Sequence, residues 1–252
     1  KLTLYMYELA SNWTVYGVES TITPTNSWVH YAFTRTGTVH QLYKDGFLQS
    51  ISVTHSSAHA PTENVFVFGK HASSATRYLD ECYMDEIRWS HIARYSKSIE
   101  RYANTFVVKG DTGDAFTTLQ IQANGSKSGT GYASNQNDSG TTTLIPTPSD
   151  AGAGFPTWVT TKGDPFGGAN TALYFERLNQ MRYESSSASF IDTTAFTIEF
   201  WFNTPAPKDQ DMTMISTWHD GGSPSDTGFN CMMDSNSGKL AFEAEYGSTE
   251  VD

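Results

Sequence analysis

The sequence predicts an all-β protein, an antiparallel sandwich of the jelly-roll kind. Three observations predict it: period-two alternation of apolar and polar residues, turn dipeptides that divide the alternating runs, and a composition rich in aromatics but poor in charge. Aromatics are 13% of the 252 residues, and charged residues are 17%, below the roughly 25% of an ordinary soluble chain. So aromatic a chain is not a disordered one. No apolar run approaches the ~20 residues of a membrane-spanning helix. With 27 acidic against 16 basic residues the net charge is -11, which repels phosphate backbones and excludes nucleic acid as the expected partner.

The clearest strand is Phe196 to Asn203. Phe196, Ile198, Phe200 and Phe202 share one face, and Thr197, Glu199, Trp201 and Asn203 share the other, the pattern of a strand with one face in a core. Similar runs occupy Leu2 to Tyr7, Trp28 to Arg35, Val39 to Lys44, Val65 to Phe68, Leu173 to Glu176 and Lys239 to Glu245. Turn signals at Thr36-Gly37, Asp45-Gly46, Asn124-Gly125, Gly221-Gly222 and Ser237-Gly238 punctuate them. Ile92, Tyr95, Ile99 and Tyr102 fall at helical spacing, so a short helix or a clasping loop is expected between Ser90 and Ala103. The stretch from Gly125 to Lys162 is rich in Gly, Ser, Thr and Asn and is expected to form long loops around at most one or two weak strands. Cys82 and Cys231 lie outside any C-x-x-C pair and are expected to be two buried thiols rather than metal ligands.

Several segments together resemble the laminin-G-like or concanavalin A-like jelly rolls, in particular those of bacteriophage structural and tail-fibre proteins. The run Ser27-Trp28-Val29-His30-Tyr31-Ala32-Phe33-Thr34-Arg35-Thr36-Gly37 resembles the family's tryptophan strand and turn. Leu42-Tyr43-Lys44-Asp45-Gly46 resembles the hairpin that follows, and Tyr83-Met84-Asp85-Glu86-Ile87-Arg88-Trp89-Ser90 with Ile92-Ala93-Arg94-Tyr95 the closing strand and its loop. In the second half Thr117 to Ile121 is similar to an opening strand. There too, Phe166-Gly167-Gly168 with Ala172 to Phe175, Phe196 to Phe202 and Met214-Ile215-Ser216 resemble early strands. The resemblance implies the fold and a virion or extracellular, cell-surface setting.

The order of these motifs is inverted, with the closing half first. Lys1 to Met6 also matches Lys239 to Ala244 in strand phase, Leu2, Leu4 and Met6 answering Leu240, Phe242 and Ala244. The chain is therefore read as spanning halves of two consecutive repeats: residues 1–105 the C-terminal half of one jelly roll, 106–116 a linker, and 117–252 the N-terminal half of a second. The opening Lys1 is read as a fragment or processed end. A half sandwich exposes its core, so each half needs completion. Array continuation is expected first, exchange with another subunit second and closure within the chain third.

The fold does not decide function, since these jelly rolls include lectins, glycosidases and structural modules. Laminarinase-type enzymes of the family set carboxylates on one strand face; the nearest residues here, Glu81, Asp85 and Glu86, depart from that spacing, so no catalysis is expected. The segment Trp218-His219-Asp220-Gly221-Gly222-Ser223-Pro224-Ser225-Asp226 is the first choice for carbohydrate binding, through Trp218, His219, Asp220 and Asp226. Asp220 and Asp226 are also the candidate calcium ligands, because calcium takes 6–8 oxygens from such loops. Tyr132 to Asp138 is a first choice beside it, and Trp13, Tyr16 and Trp158 are further aromatics in or near expected loops. His55 and His59 lie four apart in an expected loop, where that spacing makes a poor zinc pair. Two functions follow: a glycan- or receptor-binding adhesion module, or a purely structural one. Partners are then other virion or filament subunits in a homo-oligomer or tandem array.

Overall fold

In the computed structural model the described residues are 8–9, 13–49, 53–54, 65–71, 76–95, 116–122, 133–135, 143–145, 156–159, 165, 172–177, 179–184, 195–205, 210–216 and 228–246. They form two antiparallel sheets. The first half of the chain contributes β1 (Glu8–Leu9), β2 (Trp13–Ile22), β3 (Val29–Thr36), β4 (Val39–Lys44), β5 (Phe47–Leu48), β6 (Val53–Thr54), β7 (Val65–Phe68) and β8 (Cys82–Ser90). The second half contributes β9 (Thr117–Gln122), β10 (Ala133–Asn135), β11 (Thr143–Ile145), β12 (Thr157–Val159), β13 (Ala172–Phe175) and β14 (Met181–Glu184). It then adds β15 (Ala195–Asn203), β16 (Met212–Ser216), β17 (Gly228–Met233) and β18 (Lys239–Tyr246).

One sheet runs β1-β2-β18-β17-β16-β7-β14-β11; the other runs β10-β9-β8-β15-β3-β4-β5, with β13 and β12 added beside β8 and β6 beside β4. The alternation read in β15 is realised: Phe196, Ile198, Phe200 and Phe202 are all buried and join Val29, Tyr31 and Phe33 of β3 and Ile87 and Trp89 of β8 in one core. The other sheet answers with Phe66 and Phe68 of β7, Cys231 and Met233 of β17 and Leu240 and Phe242 of β18. Phe33 stacks on Phe242, and Phe66 meets Trp89 edge-on at 4.7 Å, so the two sheets interlock through aromatic rings. The turns at Thr36-Gly37, Asp45-Gly46 and Ser237-Gly238 fall where expected. Asp45 Oδ1 accepts the His30 amide at 3.0 Å and closes its hairpin against β3. Cys82 and Cys231 are buried thiols outside any disulfide, as read from the sequence.

The repeat reading needs correction. Closure within the chain, expected last, is what the described strands show, and no repeat is seen among them. β15 lies between β3 and β8, β18 pairs with β2, and β7 lies between β14 and β16, so strands of the two halves interleave in both sheets. The physical reason is complementarity. The closing half lacks the strands that the opening half supplies, and both carry apolar faces of matching phase. The segment Leu2 to Met6 lies outside the described residues.

Two smaller expectations also change. The stretch 125–162 holds three short strands, β10, β11 and β12, because each finds a partner in β9, β14 or β13. Trp13 and Tyr16 belong to β2 and Trp158 to β12, not to loops. Of the two forms expected for the 90–103 segment, residues 91–95 take the clasping loop, and 96–103 lie outside the described residues.

Candidate functional site

The outer face of the ten-stranded sheet, turned away from the core, carries the densest polar chemistry. Its layout follows from register. β15 is the central strand, and Thr197, Glu199, Trp201 and Asn203 face outward because their neighbours face in. Trp201 lies opposite His30 of β3 and Asp85 of β8, and Glu199 lies opposite Ala32 and Arg88. Asn203 lies opposite Tyr83, which in turn lies opposite Tyr174 of β13. A bulge between Glu199 and Trp201 sets two β8 residues, Glu86 and Ile87, against Phe200, with Glu86 at φ 48°.

Glu199 is fully buried and organises this face. Arg88 donates to its Oε1 twice, from Nε at 2.7 Å and from Nη2 at 2.6 Å, both on that one oxygen. Tyr95 Oη donates to Oε2 at 2.5 Å, and His30 Nε2 donates to the same oxygen at 3.2 Å. Burial alone pushes the Glu199 carboxyl up, but the hydrogen bond from His30, the Arg88 charge and the Tyr95 hydroxyl together hold it below the usual carboxylate range. The anion is thus kept and its lone pairs are occupied. Burial, followed by the Glu199 charge, pushes the Tyr95 phenol well above its ordinary value, so it stays a donor.

The clasp after β8 roofs half of this face. Thr34 Oγ1 donates to the Tyr95 carbonyl at 3.1 Å, Thr197 Oγ1 donates to the Ile92 carbonyl at 2.8 Å, and the Arg94 amide donates back to Thr197 Oγ1 at 2.9 Å. Arg94 also reaches Ser90 and Thr117 through its guanidinium. The Tyr95 ring packs with Ala32 and Tyr43. Among the described residues the other half is a shelf of half-buried aromatics, Tyr174, Tyr83 and Trp201. Tyr83 and Tyr174 have ring centroids 4.9 Å apart, and Trp201 sits 5.3 Å from the His30 ring. Asn203, opposite Tyr83, is 2% exposed, and its Oδ1 accepts no hydrogen bond among the described residues.

The sequence reading placed the site elsewhere. Trp218, His219, Asp220 and Asp226 lie outside the described residues, as do His55 and His59. Of Tyr132 to Asp138 only β10 is described. Glu81 is exposed and precedes β8, whereas Asp85 and Glu86 are buried, so the three do not form one solvent-facing set. Asp85 Oδ1 accepts the Glu86 amide at 2.7 Å, a backbone-fixing role at the bulge. Among the described residues no group of three or more His, Cys, Asp or Glu could hold a metal ion. The Glu199 cluster was not foreseen. Its signal was an acidic residue at mid-strand on the outer face of the most apolar strand, with His30 and Arg88 in outward phase on two other strands.

Residues 1–100 match the family model described as the concanavalin A-like lectin/glucanases superfamily. No curated protein matches the chain. Residues 1–100 therefore have a laminin-G/concanavalin-A-like fold, and the all-β, two-sheet arrangement is consistent with a sandwich of that kind.

Proposed function

We propose that the chain is a non-catalytic recognition module that lays a neutral glycan on the Tyr174, Tyr83 and Trp201 shelf. The observation carrying this reading is the shelf itself: three half-buried aromatics beside a buried Asn203 whose carbonyl oxygen is unpartnered. Sugar rings offer apolar C–H faces to aromatic rings and hydroxyl donors to a buried acceptor, so the two features suit one ligand class. A net charge of -11 favours neutral over anionic glycans. The same reading leaves Glu199 a structural anion, because Arg88, His30 and Tyr95 occupy both its oxygens. The resemblance of the β3, β4 and β8 motifs to phage jelly rolls supports a setting on a virion fibre or surface filament, with other subunits of that particle as neighbours.

The second reading is a structural module without a glycan site. A glycan array, run with calcium and with chelator on the wild type, Tyr83→Ala, Trp201→Ala and the double variant Asp220→Ala/Asp226→Ala, separates the two. The expected result is binding of a neutral glycan, independent of chelator, that falls at least tenfold in either aromatic variant. Binding lost only in the aspartate variant moves the site to the Trp218 to Asp226 loop and implicates calcium. No binding to any glycan favours the structural module. Hydrolysis of a β-glucan that disappears in Glu81→Gln or Glu86→Gln overturns the non-catalytic reading.

A further inference from the structure

We infer that a glycan laid on the Tyr174, Tyr83 and Trp201 shelf carries a protonated amine at its Tyr174 end, so that the site selects an amino sugar whose nitrogen is free rather than acetylated. This rests on the glycan reading above and adds to it the charge of one ring. Register places the groups concerned. Tyr83 lies opposite Tyr174, and Cys82 lies opposite Phe175. One step beyond that last pair the two strands continue into Glu81 and Glu176, both exposed, with the half-buried Asp80 next to Glu81. Like charges across a strand pair weaken the pairing, and a cation placed beside them reverses that effect. The net charge of -11 draws a cation toward the chain in the same sense.

The arginines near these carboxylates in the sequence have partners of their own. Arg177, next to Glu176, holds its guanidinium 5.4 Å from the centre of the Tyr78 ring, and Arg77 reaches Asp211 at 3.7 Å. The carboxylates act on the shelf rings. Burial first, then Cys82 and Glu81, pushes the Tyr83 phenol above its ordinary value. Burial first, then Tyr83, Glu176, Glu81 and Asp80, does the same for Tyr174. Both phenols therefore stay neutral, and their ring faces lie in a negative field, the setting in which aromatic rings hold an ammonium group. With centroids 4.9 Å apart, the two rings offer a cation a joint surface. A separate observation supplies the acceptor. Asn203 lies opposite Tyr83 on the same outward face and is 2% exposed, and its Oδ1 accepts no hydrogen bond among the described residues. An ammonium is a donor only, so it suits Asn203 Oδ1, the ring faces and the carboxylates together. Acetylation removes the charge and most of the donors, which leaves an N-acetyl group suited to Asn203 alone.

The test titrates the full chain by calorimetry with two probes, an N-acetylglucosamine oligomer and the same oligomer with the acetyl group removed from one ring. The free amine should tighten binding about tenfold, the combined scale of a cation–π contact and exposed ion pairs. The double variant Glu81→Gln/Glu176→Gln changes two exposed side chains and should keep the wild-type circular dichroism spectrum. It should bring the amine oligomer down to the affinity of the acetylated one. Raising salt from about 0.05 M to about 0.5 M should narrow the gap in the wild type, because partly exposed charges are screened. Equal affinity for the two oligomers in the wild type overturns the inference and leaves the shelf reading in place. A gap that persists in the double glutamine variant overturns it as well, since the amine is then held elsewhere. A lysine-rich peptide that binds where neither oligomer does, and is lost in the same variant, assigns the acidic end to a protein partner and overturns it. Both oligomers binding to Trp201→Ala as they bind to the wild type would move the ligand off the shelf, and the glycan reading would fall with the inference.

Discussion

Glu199 concentrates more of the outer-face chemistry than any other described residue, and its carboxylate makes two predictions. Glu199→Ala strips Arg88, itself 4% exposed, of its counter-ion, and should destabilise the fold by about 3–5 kcal/mol, the usual cost of leaving a buried charge unpaired. Glu199→Gln keeps the shape and should cost less. The pH dependence follows from a folded pKa held below the ordinary 4.5. Stability from this group is fully present above pH 4.5 and is lost as the pH falls through the lower folded value. Urea melts at pH 7, 4.5 and 3 should show the gap between wild type and Glu199→Gln narrowing only below about pH 4.5. A constant gap across that range would remove the carboxylate from the account. Sequence alone placed Glu199 on the outward face of β15. It did not reveal the partners, because His30 and Arg88 come from strands far away in the chain and their meeting depends on register.

At the scale of elements, strands were legible where alternation was unbroken. β4 and β7 fall on the residues read from the sequence, and β3, β13 and β18 differ only at their ends. β2 was not read because its sequence has no clean period-two alternation: Trp13 and Val15 are apolar in one phase and Tyr16 and Val18 in the other. Two glycines test how tightly elements are joined. Gly37, in the β3–β4 turn, has φ 57° and open space around its missing side chain, so Gly37→Ala should cost only the left-handed backbone penalty, about 1 kcal/mol. Gly69, after β7, has φ 87°, and a methyl there would overlap the Phe175 ring and lie 2.8 Å from the Asn179 carbonyl. Gly69→Ala adds overpacking to strain and should cost roughly 3 kcal/mol or more. Chemical denaturation of the two variants side by side checks the order; equal losses would mean that β7 and β13 are loosely joined at this corner.

For the whole molecule, the motifs were legible in the sequence, but their assembly was not. The inverted order of closing and opening motifs pointed first to an array, then to an exchanged oligomer and last to a self-closed chain, since each gives both halves their missing strands. The structure chooses closure, and that has a consequence for residues 1–105, which hold the whole family match. Taken alone they keep β3 and β8 but lose β15 between them, and they lose β18 beside β2 and both neighbours of β7. The buried faces of Val29, Tyr31, Phe33, Ile87 and Trp89 would then meet water in place of Phe196, Ile198, Phe200 and Phe202. Exposed apolar surface costs roughly 25 cal/mol per Å2, and a few hundred Å2 is enough to cancel a net stability of 5–15 kcal/mol. Residues 1–105 expressed alone should therefore show no cooperative thermal transition. Adding residues 106–252 in trans should restore one, because the strand pairings do not require the covalent link. A cooperative transition in residues 1–105 alone would mean that the family-matched stretch closes its own core, and that β15 adds to a finished sandwich rather than completing half of one.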